Sequence, residues 1–562
     1  MEYLLGIDLG TTNCSVTAID ENGKTTVIKN RDGEYITPSA VYFDDKIPNK
    51  FTIGKRAKEK ASCDAKNLVT LVKREMGKSK DEVRFNKRKR AYNPYNYWGK
   101  TFSPEEISSK ILAQLKKDAE TALGQELKKV VITCPGYFGQ DKKEATRLAG
   151  KLAGLDVIEV ITEPVAASLS YGTKSDKNKE KVFVFDLGGG TFDVTIVNME
   201  STPNGKKADI ECLDGDSMLG GADWDQYLVS YMVDAFKKKY FIDLYTEKGE
   251  EVDNVLGKLR LDAESAKKLL TDNDTAEISI TYGGKEFTKT ITRADFVNIT
   301  KPLTDKCMDY CSRLLANKNL TWSDIDTILV VGSMSNCFAV QNALKDLTDK
   351  DIAFRLVNPK TCVSEGAAIK AFYNICEKEG KKAVVQTLAK KPDYDKVDGD
   401  KNKISEIEEM EKSGERVSTM IESAKSVLPA SISLKGHKGG KDFAKKFLNK
   451  DEQYPAERTM AVPLGFDDRA EVSITVLEGE SENPSECDEL GNAVLPLEGS
   501  HVSTDKVQVT FSIDINGIIQ VAGVDLKTGK SVKAEIKRKN SISEEEQKAI
   551  IENALKEDDF TF

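Results

Sequence analysis

The chain has 562 residues, 39% of them hydrophobic and 31% charged, a balance typical of a folded protein with several domains rather than a disordered one. Its net charge of -9 at pH 7 argues against a nucleic-acid binder, which would present a basic surface. No run of about 18 apolar residues occurs, so no membrane-spanning helix is predicted.

The numbers and positions of cysteine and histidine limit the compartment and the kinds of catalysis that can be expected. The ten cysteines are spaced singly, as expected for buried thiols in a reducing compartment. The N-terminus enters a predicted strand without a basic and apolar leader, so we expect a cytoplasmic protein. The only two histidines, His437 and His501, lie late in the chain. Histidine-assisted nucleophilic catalysis is therefore excluded in the first two-thirds of the sequence.

Residues 1–378 alternate apolar runs typical of strands with amphipathic runs typical of helices, which predicts an α/β fold. Ser103 precedes Pro104 and is a typical helix N-cap. The predicted strands are Leu4–Asp8, Val130–Cys134, Val182–Asp186 and Ile328–Val331, and the predicted helices are Pro104–Leu123 and Gln140–Leu152.

The composition changes twice in the last third of the chain. Residues 379–426 are rich in Lys, Glu and Asp, which favours a charged linker. An apolar stripe predicts one helix within this linker, formed by Ile404, Ile407, Met410, Val417 and Met420. Residues 427–540 alternate apolar and polar positions in short runs, which predicts a compact β domain with a hairpin turn at Asn516-Gly517. Residues 541–562 are predicted to form a short helix or tail.

The most informative feature is an internal repeat. Ile7-Asp8-Leu9-Gly10-Thr11-Thr12 and Phe185-Asp186-Leu187-Gly188-Gly189-Gly190 share one pattern, at an offset of 178 positions from Asp8 to Asp186. A duplicated strand–loop–strand unit is the simplest interpretation. Glycine and small hydroxyl residues let backbone N–H groups approach phosphate oxygens, and an aspartate before each loop suits Mg²⁺ held through water.

Two ordinary glycine turns are the alternative interpretation, and for either loop alone it is as good as the functional one. The matched pair favours a clamp that grips the β- and γ-phosphates of a nucleotide from opposite sides.

Further motifs surround and follow the two loops. They are Thr133-Cys134-Pro135-Gly136-Tyr137-Phe138, Thr162-Glu163-Pro164-Val165-Ala166-Ala167 and the later stretch from Val509 to Ile518. Together with the loops they resemble the heat-shock protein 70 family of DnaK-type chaperones over most of residues 1–375 and 427–545. The resemblance implies an actin-like, duplicated nucleotide-binding domain of two lobes, followed by a β-sandwich peptide-binding domain. It also implies ATP or ADP with Mg²⁺ as ligands, and K⁺ as a further candidate.

The resemblance implies roles for the residues at matching positions. The implied catalytic set is Asp8, Lys73, Glu163, Asp186 and Thr191, and the implied metal-side carboxylates are Asp8, Asp186 and Asp193. The implied nucleotide-binding residues are Gly10, Thr11, Thr12, Asn13, Gly188, Gly189, Gly190, Glu264, Lys267, Lys268, Thr271, Gly332 and Ser333. The implied peptide groove contains Leu434, Val472 and Ile474, and the implied allosteric relay is Pro135 with Lys143. On spacing alone, Glu264 to Thr271 are better explained as a solvated helix face, and the groove residues are equally well explained as a β-domain core.

Several positions depart from the family pattern at the nucleotide and partner sites. Ser335 and Lys360 stand where the family carries arginine and aspartate, which predicts weaker or less base-selective nucleotide binding. Lys143 replaces an arginine, and so the planar fork of that side chain is lost. Glu159 stands where the family offers a basic contact to J-domain partners.

Two further departures concern the second domain. The polar stretch from Glu422 to Ser426 replaces a leucine-rich linker, so it is expected to gain little apolar burial on docking. The sequence stops at Phe562, where the family continues into a helical lid, and bound peptide is therefore expected to exchange quickly.

These features predict an ATP-hydrolysing chaperone that binds exposed hydrophobic peptide segments of unfolded proteins. A monomer is expected, with a J-domain co-chaperone and a nucleotide exchange factor as candidate partners. Binding to nucleic acid or to a membrane is not expected. One alternative is a nucleotide-binding co-chaperone or scaffold with negligible turnover. The other is a small-molecule kinase of the actin/hexokinase superfamily, although no second substrate site is evident in the sequence.

Overall fold

The computed structural model describes residues 3–78, 95–348, 352–388, 416–514, 517–536 and 545–551, apart from positions 174, 176, 357, 359, 439, 466, 468, 469 and 546 within those ranges. In the part of the chain that is described, no helix is long and apolar enough to cross a membrane.

The first part of the chain is organised by a six-stranded mixed sheet, the first sheet. Its strands are β1 Leu4–Asp8, β2 Asn13–Ile19, β3 Thr25–Val27, β4 Thr37–Pro38, β10 Lys129–Cys134 and β11 Asp156–Thr162, in the order β11-β10-β1-β2-β3 with β4 beside β2. The accessory strands are β5 Ala40–Phe43, β6 Phe51–Ile53, β7 Leu68–Thr70, β8 Asn96–Tyr97 and β9 Lys100–Thr101. The helices are α1 Lys55–Lys58, α2 Pro104–Leu123 and α3 Gln140–Leu152. Ser103 accepts from the Glu106 backbone N–H in a capping box, which confirms the predicted start of α2.

The next part is organised by a seven-stranded sheet, the second sheet. Its strands are β12 Lys179–Leu187, β13 Phe192–Thr202, β14 Gly205–Asp216, β17 Thr327–Val331, β18 Ala353–Leu356, β19 Ala383–Leu388 and β20 Arg416–Lys425, in the order β18-β17-β12-β13-β14-β20-β19. A hairpin of β15 Thr275–Tyr282 and β16 Lys285–Thr292 stands apart from it. The helices are α4 Glu163–Gly172, α5 Gly221–Tyr240, α6 Glu250–Asp272, α7 Arg293–Asn317, α8 Phe338–Leu347 and α9 Cys362–Lys378.

The two sheets repeat one topology. In the first sheet, β1 pairs antiparallel with β2 and parallel with β10. In the second sheet, β12 pairs antiparallel with β13 and parallel with β17. The duplicated strand–loop–strand unit predicted from the sequence is therefore confirmed, and each loop of the repeat leaves the same position in its sheet.

The prediction of a helical linker is wrong where the structure describes that segment. Val417 and Met420 lie in β20, which pairs in parallel with β14 and antiparallel with β19. The side chain of Ile421 joins the core between the sheet and its helices. Backbone pairing to strands far away in the sequence overrides the local helical period. Ile404, Ile407 and Met410 lie outside the described residues.

The C-terminal part contains two four-stranded antiparallel sheets. One has the order β22-β21-β24-β25 and the other β23-β26-β27-β28. The strands are β21 Ile432–Lys438, β22 Lys441–Leu448, β23 Ala456–Pro463, β24 Glu471–Glu478, β25 Asp488–Pro496, β26 Lys506–Ile513, β27 Ile519–Asp525 and β28 Ser531–Glu535. Both sheets contribute to a single apolar core in which the rings of Phe447 and Phe511 lie 4.5 Å apart. The predicted β domain is present, and residues 547–551 of the predicted tail are helical.

The C-terminal part contacts the first two parts at several points. Glu478 accepts a 3.1 Å hydrogen bond from the backbone N–H of Gln140 at the start of α3. Lys143, one turn later, donates to the Tyr454 hydroxyl at 3.2 Å. On the side of the second sheet, Lys318 forms a 2.9 Å ion pair with Asp451. These polar contacts place the β domain against both preceding parts.

Candidate functional site

Two short loops define the site. Phosphate loop 1 (residues 9–12) joins β1 to β2, and phosphate loop 2 (residues 188–191) joins β12 to β13. Between them lies a pocket that is partly open to solvent and is lined by residues of both loops. The predicted residues that line this pocket are Asp8, Gly10, Thr11, Thr12, Asn13, Glu163, Asp186, Gly188, Gly189, Thr191, Gly332 and Ser333.

The two phosphate loops approach each other so closely that side chains larger than hydrogen do not fit. A Cβ atom added to Gly189 would lie 1.9 Å from the Thr12 Oγ1 atom. A Cβ atom added to Gly190 would lie 2.2 Å from the Thr11 Cγ2 atom. Contacts below 3.0 Å force one loop to move, so glycine is required at both positions. The repeat is therefore a pair of facing loops rather than two unrelated turns.

A buried ion pair lies beside the loops. The Nζ atom of Lys73 is 2.5 Å from the Oε1 atom of Glu163, and both side chains are more than nine-tenths buried. Burial disfavours the charged form of Lys73, but the negative charges of Glu163 and Asp8 outweigh it and raise its pKa. Lys73 is thus held as a cation next to the pocket, where it can offset the charge of a terminal phosphate or orient a water molecule.

Further carboxylates crowd the same region. Burial, followed by the negative charge of Glu163, raises the pKa of Asp8 to about 7. The same two causes hold the pKa values of Asp186 and Asp193 well above the usual range. Lys73 is the cation that lowers all three pKa values, so negative groups outnumber it. Excess buried negative charge of this kind is relieved by a bound cation.

The donor set fits a hydrated divalent cation better than a fully liganded one. Asp8 and Asp186 both line the pocket, and Asp193 has a buried Oδ1 atom without a hydrogen-bond partner. Among the described residues, no three His, Cys, Asp or Glu side chains are close enough to bind one metal ion directly. Mg²⁺ usually keeps several of its waters and binds through one or two carboxylates together with phosphate oxygens.

Replacing one pocket carboxylate should reveal the cost of this charge. Because the pKa of Asp8 is raised in the folded protein, its contribution to stability is fully present below about pH 4. That contribution is lost as the pH rises through about 7. Without nucleotide, Asp8→Asn should therefore be more stable to urea than the wild type at pH 8. The gain in the free energy of unfolding should be about 2 kcal/mol, less than the full pKa shift implies, because Asp8 keeps some contact with solvent. The difference should shrink towards pH 4. Equal differences at pH 5 and pH 8 would contradict the assigned cause.

The four implied nucleotide-binding residues of helix α6, Glu264, Lys267, Lys268 and Thr271, do not line the pocket. Lys267 donates to the Gly221 carbonyl oxygen at 2.9 Å and pairs with Asp225 at 2.7 Å. Glu264 bridges Lys58 and Lys268 at 2.5 and 2.9 Å. The structure therefore engages these charged groups within the protein, whereas Gly332 and Ser333 form the pocket wall. The backbone carbonyl of Thr271 accepts from Arg293.

Two departures from the family pattern have clear structural positions. Ser335 is buried, accepts from the Leu187 backbone N–H at 3.1 Å and donates to the Val331 carbonyl oxygen at 2.5 Å. Its hydroxyl thus ties together the ends of β12 and β17 instead of facing a base. Lys360 lines the pocket, where it adds a positive charge.

The predicted groove and relay residues have different surroundings. Leu434 and Ile474 are buried in the core of the β domain, and Val472 is half-buried against it. Pro135 is buried at the end of β10. Lys143 reaches the β domain, with its Nζ atom 5.1 Å from the centre of the Tyr454 ring. Of the two implied relay residues, Lys143 therefore contacts the β domain, whereas Pro135 lies directly after β10.

Sequence reasoning missed two contacts at the site. Thr133, the first residue of the motif Thr133–Phe138, donates to the Asp8 Oδ1 atom at 3.0 Å. Arg74, next to Lys73, donates through Nε to the Gly190 carbonyl oxygen at 2.7 Å. Consecutive basic residues in the otherwise apolar stretch Leu71-Val72-Lys73-Arg74 were the available signal for Arg74.

Comparison with known proteins agrees with the site. A family model described as "Hsp70 protein" matches residues 4–387 and 407–560. The chain is 32% identical over 566 aligned positions to "Chaperone protein DnaK" of Methanothermobacter thermautotrophicus (strain Delta H), and the match covers 99% of this chain and 83% of that protein. The chain therefore belongs to the Hsp70 family, whose members are ATP-dependent chaperones.

Proposed function

We propose that this chain hydrolyses ATP with Mg²⁺ in the pocket between the two phosphate loops and uses the β domain to bind exposed hydrophobic segments of unfolded proteins. The observation that carries the proposal is the pocket itself, lined by both loops with the buried Lys73–Glu163 pair beside it. Loops supply backbone donors for phosphates, and the pair supplies a fixed charge next to them.

In this function the two mixed sheets form the two lobes of an actin-like nucleotide-binding domain that extends to β20. Residues 427–540 form a β-sandwich that binds extended peptide. Asp8 and Asp186 would hold Mg²⁺ through water and would position it against the β- and γ-phosphates. Asp193, with its unpartnered oxygen, is the proposed neighbour of K⁺.

Communication between the two activities is proposed to run through α3 and β20. The first residues of α3 touch the β domain through Gln140 and Lys143. β20 leads directly into the β domain and is held by strand pairing on both sides. Backbone hydrogen bonds do not depend on apolar side chains, so they can hold the polar segment β20 in the second sheet. This supports docking of the linker even though it lacks leucines. The expectation of weak docking rested on side-chain burial alone.

Co-chaperone recognition is proposed to differ from the family pattern. Glu159 is buried, accepts a 2.7 Å hydrogen bond from Asn374 and lies 3.7 Å from the Lys370 ammonium group. A carboxylate engaged in this way offers no basic contact to a J-domain partner. A nucleotide exchange factor remains a proposed partner.

A second candidate function is a nucleotide-dependent scaffold with negligible turnover. The position of Lys360 in the pocket favours it, because an added positive charge strengthens binding of ATP and ADP alike without lowering the barrier to hydrolysis.

Peptide release distinguishes these functions. The off-rate of a fluorescent hydrophobic peptide from the full chain should rise at least about tenfold when Mg·ATP is added, as expected for a coupling free energy of about 1.4 kcal/mol or more. Mg·ADP is the control and should leave the rate near its nucleotide-free value. Peptide binding that does not respond to ATP, together with ATP binding that yields no phosphate, would favour the scaffold.

A further inference from the structure

Three carbonyl oxygens of phosphate loop 2 are bound by groups outside the loop, two of them by the start of α5 and one by Arg74. The Gly188 carbonyl accepts from the Gly221 backbone N–H at 3.0 Å, and the Gly189 carbonyl accepts from the Ala222 N–H at 2.8 Å. Both donors belong to the first turn of α5, where backbone N–H groups lack partners within the helix. The third carbonyl, of Gly190, is instead held by the guanidinium group of Arg74.

These three bonds determine where the loop can offer donors. In a trans peptide unit the C=O and the following N–H point in opposite directions. Tying the carbonyls of residues 188, 189 and 190 to α5 and Arg74 therefore turns the N–H groups of Gly189, Gly190 and Thr191 the other way. Gly189 and Thr191 line the nucleotide pocket. Arg74 thus orients the last peptide unit of this series, which ends at the predicted catalytic Thr191.

Arg74 is itself rigidly held. Its side chain is 4% exposed, and its two terminal nitrogens lie 3.2 and 2.5 Å from the two carboxylate oxygens of Asp223. Asp223 also accepts from the Gly220 N–H at 2.8 Å at the start of α5, where a negative charge is favoured. The guanidinium group therefore uses three N–H donors in one plane, which a lysine ammonium group cannot reproduce.

Arg74 also connects loop 2 to Lys73. Both residues lie on the short helical turn Val72–Glu75, which follows Leu71 in a left-handed conformation with φ 59°. Lys73 pairs with Glu163, while its neighbour Arg74 reaches the carbonyl of Gly190. One rigid turn therefore sets the position of the predicted catalytic lysine and the orientation of the loop that faces it.

We propose that Arg74 is a positioning residue for ATP hydrolysis, which aligns the Thr191 peptide of phosphate loop 2 with the Lys73 turn across the cleft. This inference rests on the proposed hydrolysis. The donors that Arg74 orients act where charge develops on the terminal phosphate, so the loss of Arg74 affects the hydrolysis step more than nucleotide binding.

Single-turnover phosphate release and Mg·ADP affinity, measured on the full chain, test this inference together. Arg74→Ala should hydrolyse ATP about 30-fold more slowly than the wild type and Arg74→Lys about tenfold more slowly, as expected for a small misalignment at a reacting centre. The dissociation constant for Mg·ADP should change by less than about threefold in both variants. Guanidinium chloride at about 10 mM should restore part of the rate of Arg74→Ala only, because the free ion can occupy the vacated site.

Arg56→Ala is the matched control, since Arg56 forms an exposed ion pair with Asp32. It should keep the wild-type rate. Wild-type rates in both Arg74 variants would overturn the inference, and so would a loss of Mg·ADP affinity as large as the loss of rate, which would indicate a general loss of structure. Arg74→Lys keeps the test decisive if the alanine variant does not fold.

A wild-type chain that binds Mg·ATP without releasing phosphate would overturn the proposed function along with the inference, whereas an active wild type with active variants overturns the inference alone.

Discussion

Lys73→Ala should lower the single-turnover rate of ATP hydrolysis at least about 100-fold. The variant removes the buried cation that offsets the negative charges of Glu163 and Asp8. Affinity for Mg·ATP should fall far less than the rate, because the backbone donors of both phosphate loops remain. Phosphate release under single-turnover conditions, combined with a binding titration, measures both quantities.

Lys128→Ala is the matched control for this experiment. Lys128 is 65% exposed in its side chain and pairs with the equally exposed Glu126, so its removal should change the rate by less than about twofold. A Lys73→Ala variant that melts like the wild type and hydrolyses ATP at the wild-type rate would remove Lys73 from the catalytic assignment.

Glu478→Gln should make the contact between the β domain and α3 independent of pH and stronger at pH 8. Burial raises the pKa of Glu478 to about 7 in the docked arrangement, while the Gln140 N–H and Lys143 oppose the shift. Because the pKa of Glu478 is raised on docking, its protonation stabilises the docked state. This contribution is fully present below the pKa of the undocked carboxyl and is lost as the pH rises through about 7. The wild-type contact should therefore weaken from about pH 5 to pH 7, by about 2–3 kcal/mol.

Hydrogen exchange at the Gln140 amide, whose N–H donates to Glu478, reports this contact directly. After correction for the intrinsic pH dependence of exchange, protection in the wild type should fall over that pH range and protection in Glu478→Gln should stay level. Glu471→Gln, an exposed change at the other end of β24, is the control and should behave as the wild type does. An identical pH profile in the Glu478 and Glu471 variants would show that another group controls the contact.

The phosphate loops could be predicted because their information is local. Each consists of an aspartate, a short glycine or threonine run and a following strand, and the second copy removed the ambiguity of the first. The same holds for α2, whose start is encoded by Ser103, Pro104 and Glu106 within four residues. The core of the β domain could be predicted from the alternation of apolar and polar residues, because buried and partly buried positions alternate along β26 and β27.

The features that could not be predicted from the sequence depend on contacts between residues that are distant along the chain. β20 carries a weak apolar pattern in which Ile421 alone is buried, and its position is set by β14, about 200 residues earlier. The bonds from Arg74 to Gly190 and from Gln140 to Glu478 likewise join segments that are distant in the sequence, so the local sequence does not identify the partner of either group. Folding brings these groups together, so neither the arginine contact nor the titrating interface was visible in the sequence.

A titration of the full chain with Mg·ATP by calorimetry, in wild type and in Gly189→Ala, tests most directly that nucleotide binds between the facing phosphate loops. The added Cβ atom would lie 1.9 Å from Thr12 Oγ1, so it must push the loops apart. We predict one Mg·ATP per wild-type chain and an affinity at least about tenfold lower in Gly189→Ala, equivalent to about 1.4 kcal/mol. Equal affinities in the two proteins, or no binding to the wild type, would contradict the assignment of the pocket.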